Sequence, residues 1–135
     1  MADTLRLEVV TPTRRVLEVR ASEVRVPGAV GELGILPGHT PLLTALGTGE
    51  LKWTEDSKEE RLVVQGGFAE VQPDAVTVLA SVAEAADEID FEAAVEAHAD
   101  AVEKLKTAPA EEFDELDAAL RLAEARKHIA SGGGS

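Results

Sequence analysis

The chain has 135 residues, no cysteine, 26 acidic against 13 basic side chains and a formal net charge of −13. That length supports one buried core with an appended element, and the lack of thiols excludes disulfide frameworks, thiolate metal sites and cysteine redox chemistry. The negative field repels phosphate backbones and anionic headgroups, which argues against nucleic acid as a partner.

The first residues, Met1-Ala2-Asp3-Thr4-Leu5-Arg6, carry no basic segment leading into an apolar one, and no uncharged apolar stretch reaches the roughly 18 residues that cross a bilayer. A soluble mature protein without direct membrane insertion is expected. Charge is uneven: residues 1–83 hold 12 acidic and 8 basic side chains, residues 84–135 hold 14 and 5. Two differently built regions are implied.

Along residues 5–83 apolar residues recur with a period of two: Leu5, Leu7 and Val9; Val24 and Val26; Leu51 and Trp53; Val76, Val78 and Ala80. Such alternation marks half-buried strands. Pro12, Pro27-Gly28, Pro37-Gly38, Gly47 to Gly49, Asp56-Ser57-Lys58 and Pro73-Asp74 stand between these runs as turns. Residues 31–44 read as a long turn entering a buried strand.

After Ala83 alanine and glutamate dominate and the period becomes helical. Asp90 is placed to cap a first helix, whose inner stripe is Phe91, Val95, His98, Val102 and Leu105. Thr107-Ala108-Pro109 breaks it, since proline is tolerated in a first turn and not inside a helix. Phe113, Leu116, Leu120 and Ala123 give the matching stripe. The reading is an α+β chain: an antiparallel β-sandwich over residues 1–84, an antiparallel α-helical hairpin over 88–130, and a flexible tail over 131–135. The many alanines bury little apolar area, so the hairpin should be marginal by itself.

Enzymatic chemistry finds no footing. There is no G-x-x-x-x-G-K-[ST] loop to cradle phosphates, His39, His98 and His128 lack paired metal-ligand spacing, and no serine lies in a nucleophile-elbow pattern. No catalytic residue, metal or cofactor is expected.

The densest motif is Gly31-Glu32-Leu33-Gly34-Ile35-Leu36-Pro37-Gly38-His39-Thr40-Pro41-Leu42-Leu43-Thr44. It resembles, nearly residue for residue, the corresponding loop of the epsilon subunit family of bacterial F-type ATP synthases, and Gly66-Gly67-Phe68-Ala69-Glu70-Val71 with Val76-Thr77-Val78-Leu79-Ala80 resembles that family's later strands. The hairpin matches in length, position and composition only. The resemblance implies a non-catalytic rotor subunit of the central stalk at the cytoplasmic face of the bacterial membrane, coupling the gamma subunit to the c-ring for proton-driven ATP synthesis. By the same resemblance Gly31, Glu32 and Leu33 contact the c-ring and His39 lies near gamma. Arg121, Arg126 and Lys127 of the hairpin would face the alpha/beta catalytic head and hinder ATP hydrolysis.

Some members bind ATP through I/L-D-x-x-R-A. Here the matching residues are Ile89-Asp90-Phe91-Glu92-Ala93-Ala94, with Ala93 where the phosphate-facing arginine would stand, so ATP is not expected as a regulatory ligand. From residues alone Glu32 and His39 are also ordinary turn residues, Asp90 a cap, and the basic cluster a complement to a helix dipole. The other class of function compatible with the sequence is a freestanding β-sandwich adaptor with a purely structural hairpin.

Overall fold

A computed structural model describes residues 3–132; residues 133–135 of the anticipated tail lie outside them. Eight strands come first: β1 (Leu5–Val10), β2 (Arg15–Ala21), β3 (Glu23–Gly28), β4 (Gly31–Ile35), β5 (Leu42–Ala45), β6 (Thr48–Glu55), β7 (Lys58–Gln72) and β8 (Ala75–Glu84). Two helices follow, α1 (Phe91–Leu105) and α2 (Phe113–Ala130), each preceded by a short 3₁₀ turn.

The strands form one hydrogen-bonded path, β2-β1-β8-β7-β6-β3-β4, with β5 added to β7. This path folds into two layers because β7 bends at Gly66 and Gly67, whose φ values are +67° and +98°. Before the bend β7 pairs with β6; beyond it β7 pairs with β5, while β8 follows along its other edge. Only glycine fits the bend: a Cβ on Gly67 would lie 1.8 Å from the Leu79 carbonyl oxygen. Neighbouring pairs are antiparallel except β1 with β8, which run parallel from Arg6↔Ala75 to Val10↔Leu79.

The alternating residues meet between the layers. Leu5, Leu7, Val9, Val76 and Val78 are fully buried in one cluster with Val24, Val26, Ile35, Leu51 and Val64. Each such side chain contributes about 1.5–3 kcal/mol on leaving water, so the sandwich carries most of the stability. Asp56 and Ser57, at φ of +51° and +65°, close the β6–β7 hairpin as a two-residue turn.

Two sequence expectations give way here. β5 is not buried: Leu42 and Leu43 are both exposed, because it lies at a sheet edge against β7. On α1 the anticipated stripe is only partly covered: Phe91, Val95 and Val102 are exposed and His98 and Leu105 half-buried, while Ala94 and Ala101 are the buried residues. The alanines let α1 approach α2, which buries Ala123; side chains too small to dominate a hydropathy pattern make the contact.

α2 lies across β6 and β7. The apolar seam is small: Val63, Ala125 and Ile129 are buried, with Ile89 and Leu122 packed alongside. Asp90 caps α1 as expected, its carboxylate accepting from the Ala93 N–H at 3.1 Å.

Candidate interaction surfaces

The β3–β4 hairpin turns at Ala29 and Val30, and Val30 is fully exposed. Residues 31–35, expected to open a long turn, instead form β4, where Glu32 and Leu33 stand opposite Pro27 and Val26. Glu32 projects outward between Arg25 and Lys52, 3.5 Å from each nitrogen, and keeps 45 % of its side chain exposed. Leu33 is half-buried and packs against the sandwich core, so Val30 is the apolar group that the hairpin presents. Gly31, at φ of +138°, reverses the chain without crowding.

His39 sits in the loop between β4 and β5. Its Nδ1 lies 2.7 Å from the Thr40 carbonyl oxygen, its N–H donates to the Leu36 carbonyl, and the Gly38 N–H donates to the Pro73 carbonyl at 2.7 Å. The His39 bonds shape the loop itself, and the Gly38 bond holds it against the β7–β8 turn.

A surface that sequence reasoning missed lies on the outer face of β5, β7, β8 and β1. The register places Ala45 opposite Phe68, Phe68 opposite Leu79, and Leu79 opposite Val10. This row runs straight across four strands, with Phe68 52 % and Leu79 51 % exposed and Leu43 beside it on β5 at 67 %. A contiguous apolar row on an outer sheet face is a candidate interaction surface. The signal was in the sequence: Phe68 and Leu79 occupy the polar phase of strands whose inward phase, Ala69, Val71, Val76 and Val78, is already apolar.

At the hairpin two of the three basic residues, Arg121 and Arg126, are engaged with carboxylates. Arg126 donates from Nε and Nη2 to the two oxygens of Glu84, both at 2.7 Å, and Arg121 donates to Asp117 one turn earlier at 2.9 Å. The Asp117 hydrogen bond and charge raise the Arg121 guanidinium above its ordinary value. Lys127 lines a crevice of about 380 Å³ with Phe91, His98, Glu124, His128 and Ser131. Beneath α2, Arg61 bridges Glu50 and Glu59. Burial alone would lower its guanidinium, but hydrogen bonds and charge from both carboxylates outweigh that and raise it.

Ile89, Asp90 and Ala93 line a second crevice of about 300 Å³ with Glu84 and Arg126. Asp90 is spent on the α1 cap and Arg126 on Glu84. Among the described residues no group of three or more His, Asp or Glu side chains is arranged to hold a metal ion, and no helix is long and apolar enough to cross a membrane.

These features define a β-sandwich with a docked helical pair. Residues 4–86 match the family model described as the ATP synthase delta/epsilon chain β-sandwich domain. The chain is 44 % identical over 133 residues to the ATP synthase epsilon chain of Geotalea uraniireducens, covering 97 % of this chain and 96 % of that one. It is 51 % identical over 94 residues to the epsilon chain of Solibacter usitatus, covering 70 % of each. A chain in the Euglena gracilis mitochondrial ATP synthase structure (OSCP/F1/c-ring) matches with a TM-score of 0.80 at 23 % identity, covering 93 % of this chain and 80 % of that one. One in the Tetrahymena thermophila mitochondrial ATP synthase central stalk/c-ring structure matches at 0.60 and 18 %, covering 91 % and 96 %. The likeness to these two structures is one of fold. The chain belongs to the ATP synthase delta/epsilon chain family, and within it to the epsilon chains.

Proposed function

We propose that the chain is a central-stalk rotor subunit of a proton-translocating F-type ATP synthase at the cytoplasmic face of a bacterial membrane. In this reading the sandwich, residues 1–84, couples the gamma subunit to the c-ring, and the hairpin, residues 88–130, regulates. The observation that carries it is the exposed row Val10, Leu79, Phe68 and Ala45, an apolar face on an otherwise strongly acidic chain, suited to a permanent partner such as gamma. His39 lies in the loop that leads into β5 and the same face.

Gly31 and Glu32, with the Val30 tip beside them, form the c-ring contact; the Glu32 carboxylate keeps acceptor capacity for the polar loops of the ring. Arg121, Arg126 and Lys127 act on the alpha/beta catalytic head only after the hairpin leaves the sandwich, because docked Arg126 is held by Glu84. ATP has no part as a regulatory ligand, since Ala93 supplies no cation and Arg126 is already neutralised.

The test is ATP hydrolysis by the cognate catalytic head with gamma, titrated with the full chain or with a version ending at Ala86. Binding by both and inhibition by the full chain alone is the expected result. Binding by neither overturns the rotor reading; equal binding without inhibition leaves the clamp and removes the regulatory hairpin.

A further inference from the structure

Among the described residues two side-chain contacts fasten α2 to the sandwich, and they differ in chemistry. Arg126 on Glu84 keeps its charge at any physiological pH. The other contact is His128, whose Nδ1 lies 2.6 Å from Oε2 of Glu50. Glu50 is itself only 16 % exposed and gives its other oxygen, Oε1, to Arg61 at 2.6 Å. Histidine is the side chain whose ordinary titration falls between about pH 5 and 8. We propose that His128 makes docking of the helical hairpin proton-sensitive, the hairpin being held more tightly when the imidazole seated on the Glu50–Arg61 pair is protonated.

The surrounding charges set the sign. From β6 the imidazole meets Glu50, which is also bound by Arg61, and Arg61 on β7 in turn binds Glu59. On α2 itself Glu124 and Lys127 line the crevice with it, and α1 contributes His98. The cleft on the other side, about 820 Å³, adds Glu32, Lys52 and Arg121. Glu32 and Lys52 face each other, Arg121 is taken by Asp117, and Glu84 and Glu88 are taken by Arg126 and Arg14. The charge that the imidazole touches directly is therefore the Glu50 carboxylate, on the sandwich. A proton on His128 turns the hydrogen bond of a neutral imidazole to the Glu50 carboxylate into an ion pair; releasing the hairpin forfeits that gain. Docking is favoured by acidification, because the protonated imidazole is the better partner for Glu50.

The apolar seam beneath is small enough for this term to matter, since only Val63, Ala125 and Ile129 are buried there. The inference concerns the docked contact itself and does not depend on which partner the sandwich takes.

The test uses the full chain, which has no cysteine of its own, labelled through Ser57→Cys and Ala119→Cys, both at exposed positions. Energy transfer between the labels reports docking from about pH 8 to about pH 5.5, in this chain and in the same chain carrying Arg126→Lys, where the remaining clasp is weaker. Docking should tighten roughly three- to tenfold on acidification. His128→Gln should abolish that response and His98→Gln should keep it. An undiminished response in His128→Gln, or a flat response with both wild-type Arg126 and Arg126→Lys, overturns the proposal. Loss of the response in His98→Gln alone assigns it to His98 and overturns it equally.

Discussion

Arg126 and Glu84 meet through two parallel hydrogen bonds of 2.7 Å, tying the last turns of α2 to the final residue of β8. The pair spans the junction between the strand region and the helices, and both side chains are roughly one-third exposed. Arg126→Gln should weaken hairpin docking by about 1–2 kcal/mol, less than a buried pair would lose because solvent screens it. Amide exchange in α2 should accelerate roughly tenfold while exchange in β1 and β8 stays unchanged.

Ile129 is the largest buried α2 side chain in the seam. Ile129→Ala should cost about 2–4 kcal/mol, more than the ion pair, and all of it from docking. The expected outcome is loss of protection along α2 with the thermal midpoint of the sandwich preserved.

Gly67 has the reverse profile. Its φ of +98° and the 1.8 Å approach of the Leu79 oxygen leave no room for a Cβ. Gly67→Ala should therefore destabilise the whole chain by about 3 kcal/mol or more, read as a fall in thermal midpoint. Gly34→Ala, at a position with nothing within 4 Å, should change stability by less than about 1 kcal/mol.

Much of the fold was legible because its signals are local. Alternation in residues 5–9, 24–26 and 76–80 marks the inward face, and Asp90 and Pro109 sit where helix ends require them. What stayed hidden depends on partners distant in sequence. The parallel pairing of β1 with β8 joins residues about 70 apart. The outward turn of Phe91 and Val95 is decided by alanines on the neighbouring face, which pack closely without hydrophobic bulk. The motif singled out Glu32 and His39 as candidates, whereas the Val30 tip and the pairing of Glu84 with Arg126 needed the strand register and the docked hairpin. The Phe68–Leu79 row needed knowledge of which strands lie side by side.

That row carries the account, and the most direct measurement is affinity for the purified cognate gamma subunit of the unaltered chain and of Phe68→Glu/Leu79→Glu. Both positions are half exposed on an outer face, so the double variant should keep its thermal midpoint within a few degrees while losing at least roughly a hundredfold in affinity, since charges set into an apolar interface centre stay unpaired. Unchanged affinity with an intact fold would contradict the proposed gamma face and, with it, the placement of the sandwich on the rotor.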